Sequence, residues 1–406
     1  MRKALIRAGI VLGALVLAWL SVAVTLSNAL AAAAPSLALQ IWPGHAAAHA
    51  RAADTLIGAG LPSAASEQRA RIDQAAREAA AALRRDPSLA GPARILALQA
   101  ALQGNARRSE RLIEYSERMS RRDIPTQFWL IENRVAANDV RGALRHFGIA
   151  LQVAPSTREV LFPVLSSALT HADLVGPIAD LVHRGDSWRS DFLYHVSQNA
   201  DPASAGSLFL TLARLGTPPA PPHLQGLIER LVRGGNFTGA ARIYALVDRR
   251  WRLNDPPAQL DGDFAREGDL PPFGWELNQN VAWRGERPDR PGNPSLLINM
   301  PGTGEDWAAH KLLLLPTGVY RLSASYGVFE GQGGALRVEI SCSRGGTVAA
   351  VVSAPANGPV GTLSGVLAIP PGCTQQWLTI QAIAAADATV PAKLWLDNLG
   401  LARSAG

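Results

Sequence analysis

Asp139-Val-Arg-Gly-Ala-Leu-Arg-His-Phe147 begins at a turn and continues with apolar residues at helical spacing, and a close copy, Asn236-Phe-Thr-Gly-Ala-Ala-Arg-Ile-Tyr244, follows later in the chain. The turn that opens the first copy, Asn138-Asp139, lies 34 residues after Gly104-Asn105. A wider comparison gives the same period. Four residues recur, with the same identity, 68 positions later, which is two periods of 34. The pairs are Ala75 and Ala143, Ala82 and Ala150, Leu83 and Leu151, and Pro87 and Pro155. A fixed period of this length predicts a stack of similar helical units.

This period, with paired helices, resembles the tetratricopeptide repeat, and the resemblance is densest over residues 66–155. Between about 156 and 235 the period is lost, and the Pro-rich run Thr217-Pro-Pro-Ala-Pro-Pro222 interrupts the pattern. We predict a tetratricopeptide-like α-solenoid over residues 46–251. The resemblance implies a concave surface that binds a protein partner, here an inner-membrane or periplasmic one, and the alternative is a solenoid that serves only as a spacer or platform.

A long apolar segment precedes the repeats. No Asp, Glu, Lys or Arg occurs from 8 to 50, and Val11–Leu26 is almost wholly apolar, which is long enough to cross about 30 Å of hydrocarbon. The segment follows three basic residues, Arg2, Lys3 and Arg7. By the positive-inside rule, residues 1–34 are predicted to be the anchor of a single-pass bacterial inner-membrane protein whose body lies in the periplasm. The alternative is a cleaved signal peptide with Ala29-Leu30-Ala31 as its cleavage site.

The charge distribution argues against nucleic acid as a partner. The formal net charge is +6, but only three of the 39 basic residues are Lys, and the basic residues are interspersed with acidic ones along the helical part. No nucleic-acid-binding motif is present. The sequence also lacks HExxH, Gly-x-Ser-x-Gly and GxxxxGK(S/T), and Glu305 and Asp306 are adjacent rather than placed across a substrate. We therefore predict a non-catalytic protein, with a carbohydrate-active enzyme as the least favoured alternative.

The composition changes after Trp251, where Arg252-Leu-Asn-Asp-Pro-Pro257 is typical of a linker. Beyond it, short alternating runs separated by Gly and Pro predict an antiparallel β-sandwich, or jelly roll, over residues 257–406. The predicted strands are Gly274–Leu277, Ser295–Met300, Lys311–Leu315, Val319–Val328, Ala335–Cys342, Val348–Ser353, Thr362–Ile369, Trp377–Ile383 and Lys393–Ala402. The whole chain is thus predicted to be a multidomain α plus β protein.

The two ends of this β-region resemble carbohydrate-binding modules of the family 4/9 type, which have a galactose-binding-like fold. The segments that carry the resemblance are Asp261-Gly-Asp-Phe264 and Phe273-Gly-Trp275 at the beginning, and Leu394-Trp-Leu-Asp-Asn-Leu-Gly-Leu401 at the end. In the family a structural calcium often ties these ends together, so the resemblance implies Asp263 and Asp397 as calcium ligands. The family's Glu is Ala265 here, and no other cofactor is implied.

Cys342 and Cys373 are the only cysteines. An even pair within one domain of an exported protein predicts a disulfide bond. No CxxC spacing is present, which argues against a zinc site or a thioredoxin-like site.

Strand alternation predicts which side chains share an outer face of the sandwich. Trp377, Thr379 and Gln381 fall on one face of their strand, and Trp307, in a predicted loop over 302–307, is a second aromatic platform. An exposed aromatic ring beside planar polar groups suits a sugar, because the ring stacks on its C–H face and the polar groups bond its hydroxyls. The alternative is an ordinary solvated face. The predicted carbohydrate-binding residues are Trp377, Trp307, Arg321, Arg337, Glu339 and Gln381.

An N-terminal anchor, a tetratricopeptide-like solenoid and a carbohydrate-module-like sandwich together resemble bacterial proteins of exopolysaccharide or capsule assembly. That resemblance implies a periplasmic scaffold in which the solenoid holds a protein of the polymerisation or export machinery and the sandwich contacts polysaccharide. The alternative is a purely protein–protein assembly factor that binds no sugar.

Overall fold

The structure is a computed structural model of the 406-residue chain. It describes residues 2–58, 64–266, 270–280, 283–287, 295–301, 303–331, 334–343, 348–356, 358, 360–386 and 390–404. Helices occupy the first part of the chain and strands the second, which confirms the predicted α plus β fold class. Contacts group the chain into two compact units, Met1–Pro163 and Val164–Gly406.

The helices of the described ranges follow one another with short connections. They are α1 Arg2–Leu30, α2 Pro35–Ile41, α3 Ala46–Gly58, α4 Ala65–Arg85, α5 Ala90–Leu102, α6 Ala106–Met119, α7 Ile124–Ala136, α8 Val140–Val153, α9 Arg158–Ala168, α10 Ala172–Arg184, α11 Arg189–Asn199, α12 Pro202–Arg214, α13 Pro221–Arg233, α14 Phe237–Tyr244 and α15 Pro256–Leu260. A short 3₁₀ turn covers Pro155–Thr157.

The first unit repeats with the period seen in the sequence. Helices α5 and α7 begin 34 residues apart, at Ala90 and Ile124, and α6 and α8 begin 34 apart, at Ala106 and Val140. The stretch from 156 to 235, where the sequence period is lost, is also helical. Paired helices with a period of 34 are therefore present, while their membership of the tetratricopeptide family remains a prediction.

The recurring turn works as a helix cap. The side chains of Asn105, Asp139 and Asn236 each accept a hydrogen bond, at 2.9–3.1 Å, from the backbone N–H three residues further on. This bond satisfies one of the N–H groups that the first helical turn leaves without a partner. The similarity between the copies of this turn thus has a local structural cause.

The N-terminal helix is predominantly apolar from Gly9 onward. Its segment Gly9–Leu30 has a mean hydropathy of 2.4 and is long enough to cross a membrane. Leu12, Leu17 and Trp19 are each more than 60% exposed to solvent. These properties suit a membrane span or a signal sequence equally, so retention of the helix and the orientation of the chain remain predictions.

Within the described residues the strands form a sandwich of two five-stranded sheets in which every pairing is antiparallel. They are β1 Glu276–Leu277, β2 Arg284–Glu286, β3 Leu296–Met300, β4 Glu305–Leu313, β5 Gly318–Glu330, β6 Gly334–Cys342, β7 Val348–Ala356, β8 Gly361–Ile369, β9 Gln376–Ala384 and β10 Ala392–Arg403. Sheet 1 has the order β1-β4-β9-β6-β7, and sheet 2 the order β2-β3-β10-β5-β8. Each predicted strand has a counterpart, and β2 was missed because three residues are too few to show an alternation.

The core lies between the two sheets. Nine of the inward side chains of β5, β6 and β9 are at most 3% exposed, and they are Tyr320, Leu322 and Ala324, Leu336, Val338 and Ile340, and Leu378, Ile380 and Ala382. These are the residues that alternation assigns to one face of each strand. Cys342 and Cys373 form the predicted disulfide, with their Cα atoms 5.3 Å apart.

In the second unit the helices are joined tightly to the sandwich. The Phe273 ring, fully buried, contacts Tyr244 and Trp251 with centroid distances of 5.5 and 5.6 Å. Gln259 of α15 donates to the Leu314 carbonyl oxygen at 3.1 Å and accepts from the Leu314 N–H at 2.8 Å. The composition change near 251–257 therefore marks the passage from helices to strands, and helices from Val164 onward belong to the same compact unit as the sandwich. The predicted domain bounds themselves remain a prediction.

Candidate functional site

The outer face of sheet 1 collects polar and aromatic side chains from three neighbouring strands. Trp377, Thr379 and Gln381 of β9 lie opposite Ser341, Glu339 and Arg337 of β6, in that order. All six side chains are partly exposed, whereas the residues between them are buried. Arg337 Nη1 donates to Gln381 Oε1 and to Glu305 Oε2, both at 3.3 Å, and so connects β6, β9 and β4.

A β-bulge brings two further rings to this face. Trp307 lies opposite Gln381 and His310 lies near it opposite Thr379, although the two residues are three positions apart. The register of β4 shifts between Trp307 and Ala309, and Ala308 and Ala309 are both buried. The extra residue reverses the alternation, so Trp307 and His310 point outward together.

The predicted loop over 302–307 is therefore wrong from Glu305 onward, where β4 begins; Gly302 lies outside the described residues. Gly and Asp before Trp307 are typical of a turn, but pairing with β9 begins at Glu305 and carries the strand through Asp306. The expectation that Trp307 is an exposed platform is compatible with its partial exposure in a strand.

Trp307, His310 and Trp377 form a continuous line of rings, here called the aromatic row. Trp307 and His310 are stacked with centroids 4.5 Å apart and planes 21° apart, and His310 meets Trp377 edge-on at 5.2 Å. His310 Nε2 also lies 3.1 Å from Glu276 Oε2 on β1. Three rings held by one another and by a carboxylate present a fixed aromatic surface beside the polar residues of β6 and β9.

Arg321 does not belong to this face, which corrects the predicted site. It lies on β5, exposed on the outer face of sheet 2, whereas Arg337 and Glu339 lie on β6 of sheet 1. Alternation correctly assigns Arg321 to the outside of its own strand. The chain changes sheets between β5 and β6, so strands consecutive in sequence are not neighbours here.

The structure thus brings five of the predicted residues together, Trp377, Trp307, Arg337, Glu339 and Gln381. It adds three that the sequence did not indicate, His310, Glu276 and Glu305. The sequence signal for His310 and Glu305 is the cluster of polar and aromatic residues within 305–310, and its meaning depends on the bulge, whereas Glu276 has no such signal. Whether these residues bind a sugar remains a prediction.

The two ends of the sandwich do meet, as the calcium prediction requires. The Leu399 N–H donates to the Gly262 carbonyl oxygen at 2.9 Å. Asp397 is buried and its carboxylate accepts from the Asn398 N–H at 2.6 Å, while Asp263 is exposed. Within the part of the chain that the structure describes, no three His, Cys, Asp or Glu side chains are placed to hold a metal ion. A calcium ion held by Asp263 and Asp397 would need further oxygen ligands, because two carboxylates do not complete its coordination. Calcium binding at this place remains a prediction.

Among known proteins, the solved structures that are similar to this chain match only its C-terminal part. The chain matches no protein-family model, and no curated protein matches it. Solved structures similar to it include a family 4 carbohydrate-binding module, at 14% identity over 36% of this chain and 98% of the module, with a TM-score of 0.29. A family 61 module in complex with β-1,4-galactotriose shares 15% identity over 38% of this chain and 99% of the module, with a TM-score of 0.26.

The xylan-binding domain of a family 22 module is a third such structure, at 18% identity over 35% of this chain and 96% of that domain, with a TM-score of 0.25. Identities and TM-scores this low leave ligand binding by the present chain to be judged from its own side chains.

Proposed function

We propose that this protein is a membrane-anchored, non-catalytic periplasmic scaffold whose sandwich binds a polysaccharide across the outer face of sheet 1. The aromatic row is the observation that carries the proposal. Two partly exposed indole rings, Trp307 and Trp377, are bridged by His310 and flanked by polar side chains of β6 and β9. Sugar rings stack their C–H faces on aromatic surfaces of this kind.

The polar part of the face suits hydroxyl groups. Gln381 uses its carbonyl oxygen to accept from Arg337, so its NH₂ group is the part able to donate to a sugar. Thr379 and Glu339, opposite each other on β9 and β6, offer a hydroxyl and a carboxylate. Donors and acceptors beside stacked rings fix both the position and the rotation of a bound sugar.

The scaffold role rests on the helical part. Paired helices stack with a period of 34, and in the second unit two cavities of about 250 and 650 Å³ share the residues Ala203, Ser207 and Leu210 of α12. Extended grooves on stacked helices are suited to a protein partner. The combination of an N-terminal anchor, a helical repeat and a sandwich supports a role in exopolysaccharide or capsule assembly, in which the helices hold a protein of that machinery. The same grooves favour the second candidate, an assembly factor that binds protein alone.

Removing either indole of the aromatic row is expected to weaken glycan binding at least about tenfold, since a stacked aromatic anchor is typically worth about 2 kcal/mol. The variants are Trp377→Ala and Trp307→Ala, made in the full chain in detergent. Binding is measured by calorimetry with the producer's own exopolysaccharide, β-1,4-galactan and mixed-linked β-1,3-1,4-glucan.

Trp395→Ala is the matched control, because Trp395 is a partly exposed indole on sheet 2, away from the row. Its affinity should equal that of the unaltered chain, and thermal melts should show all variants folded. No binding by the unaltered chain, or equal losses in all three variants, would contradict sugar binding at this face and leave the protein-only assembly factor as the better candidate.

An export-dependent reporter fused after Gly406 is expected to be active, because Arg2, Lys3 and Arg7 keep the N-terminus in the cytoplasm. Alkaline phosphatase activity in whole cells checks this, and a cytoplasm-only fluorescent fusion at the same position should be dark. A fluorescent cytoplasmic fusion would exclude the proposed topology. Mass spectrometry of the mature chain then separates anchor from signal peptide, since cleavage would create a new N-terminus near Ala32.

A further inference from the structure

A cleft of about 490 Å³ opens beside Trp377, at one end of the aromatic row, and its two walls come from different parts of the fold. Helix α13 provides one wall, and β1, β9 and the segment before β1 provide the other. Its lining residues are Gln225, Glu229, Val232 and Arg233 on the first wall, and Pro271, Pro272, Glu276 and Trp377 on the second. Its volume falls within the range of about 300–1,000 Å³ that is usual for small-molecule sites.

The two walls are held in a fixed relation. All of the lining residues belong to one compact unit, Val164–Gly406. The Pro272 carbonyl oxygen accepts from the Leu312 N–H at 2.6 Å, and the next residue, Phe273, packs between Tyr244 and Trp251. The cleft is therefore a built feature of the fold and does not depend on a ligand to assemble it.

The chemistry of the helical wall matches that of the sheet. Gln225 Nε2 donates to Glu229 Oε1 at 2.6 Å and so orients the Glu229 carboxylate. Glu276, on the other wall, lies 3.1 Å from His310 of the aromatic row. Carboxylates are strong acceptors for hydroxyl groups, and a pair of them beside an indole is an arrangement suited to a sugar.

Charge around the row and the cleft is negative. Four acidic side chains, Glu229, Glu276, Glu305 and Glu339, face two basic ones, Arg233 and Arg337. Arg337 is itself 3.3 Å from Glu305. A uronate or a sulfated sugar would be repelled by this excess of negative charge, whereas an uncharged sugar would not.

We infer that the glycan site is composite: one sugar unit stacks on the aromatic row and a neighbouring unit of the same chain enters the cleft against α13, and the site selects uncharged over anionic polysaccharide. This inference rests on the proposed function and adds two things to it. The helices contribute a wall of the binding site, so they are more than a platform, and the ligand is assigned to the class of neutral glycans.

Blocking the cleft from α13 tests the composite site without replacing a residue of the aromatic row. Val232→Trp fills the cleft from α13 and is expected to weaken binding at least tenfold, and Glu229→Ala, which removes an acceptor, about fivefold. The matched controls are Val135→Trp and Glu132→Ala, exposed residues of α7 in the first unit, which should leave the affinity unchanged. Calorimetry uses the full chain in detergent with β-1,4-galactan and mixed-linked β-glucan as neutral probes and alginate as the anionic probe.

The outcomes separate the two claims. If Trp307→Ala weakens binding while Val232→Trp and Glu229→Ala match their controls, the composite site is overturned and the proposed function stands. If no probe binds, or Trp307→Ala has no effect, both fail. Alginate binding as tight as that of the neutral glycans would overturn the selectivity, whereas binding at least tenfold weaker would support it.

Discussion

Replacing Cys342 and Cys373 together by alanine is expected to lower the free energy of unfolding of the second unit by about 3–4 kcal/mol. The disulfide joins residues 31 positions apart, and opening a loop of that length returns this much conformational freedom to the unfolded chain in the chain-entropy description. Cys342 ends β6, the strand between β7 and β9, so the bridge ties the end of β6 to the segment before β9.

Urea unfolding of the oxidised chain in detergent, followed by tryptophan fluorescence, measures this loss. Reduction provides the control: with the bridge opened by dithiothreitol, the unaltered chain should unfold near the midpoint of the double variant. A difference below about 1 kcal/mol between the oxidised chain and the variant would show that the bridge contributes little to stability.

Replacing Phe273 by alanine should cost about 3–5 kcal/mol, because the ring is fully buried and its loss leaves a cavity between Tyr244 and Trp251. The site joins α14 and the segment after it to the sandwich. Since both belong to one compact unit, we expect the helical and strand signals of residues 164–406 to shift together to lower urea concentration.

Hydrogen–deuterium exchange resolved by peptide, recorded through one urea titration, separates the helices of residues 164–260 from the strands. It tests both the size of the loss and whether helices and strands lose stability together. Phe329→Ala is the matched control, since Phe329 is 53% exposed on β5 and should change stability by less than about 1 kcal/mol. A strand signal that keeps its midpoint while the helical signal shifts would mean that the sandwich is stable independently of the helices.

Strand alternation predicts part of the candidate site from the sequence and fails for another part. Alternation correctly predicts that Trp377, Thr379 and Gln381 share a face, because successive side chains of one strand point to opposite sides. Extended back from Lys311, the same rule would put Trp307 and His310 on opposite faces, because it does not allow for the extra residue between them. A bulge is defined by the partner strand, which is distant in sequence, so no local pattern reveals it.

By itself the sequence determined the properties that depend on neighbours along the chain. The period of 34, the turns at Asn105 and Asp139, the apolar N-terminal helix and the inward face of each strand are local, since they follow from residues close together in the sequence. The disulfide followed from a count of two cysteines, which leaves one pairing.

Only the tertiary structure decided which of these elements meet. It placed Arg321 on sheet 2 and Arg337 on sheet 1, brought His310 between two indoles, and set α13 against Trp377 to form a cleft. The physical reason is that the pairing of strands and the packing of helices on sheets are chosen by burial over the whole fold, among many arrangements that satisfy the same local patterns.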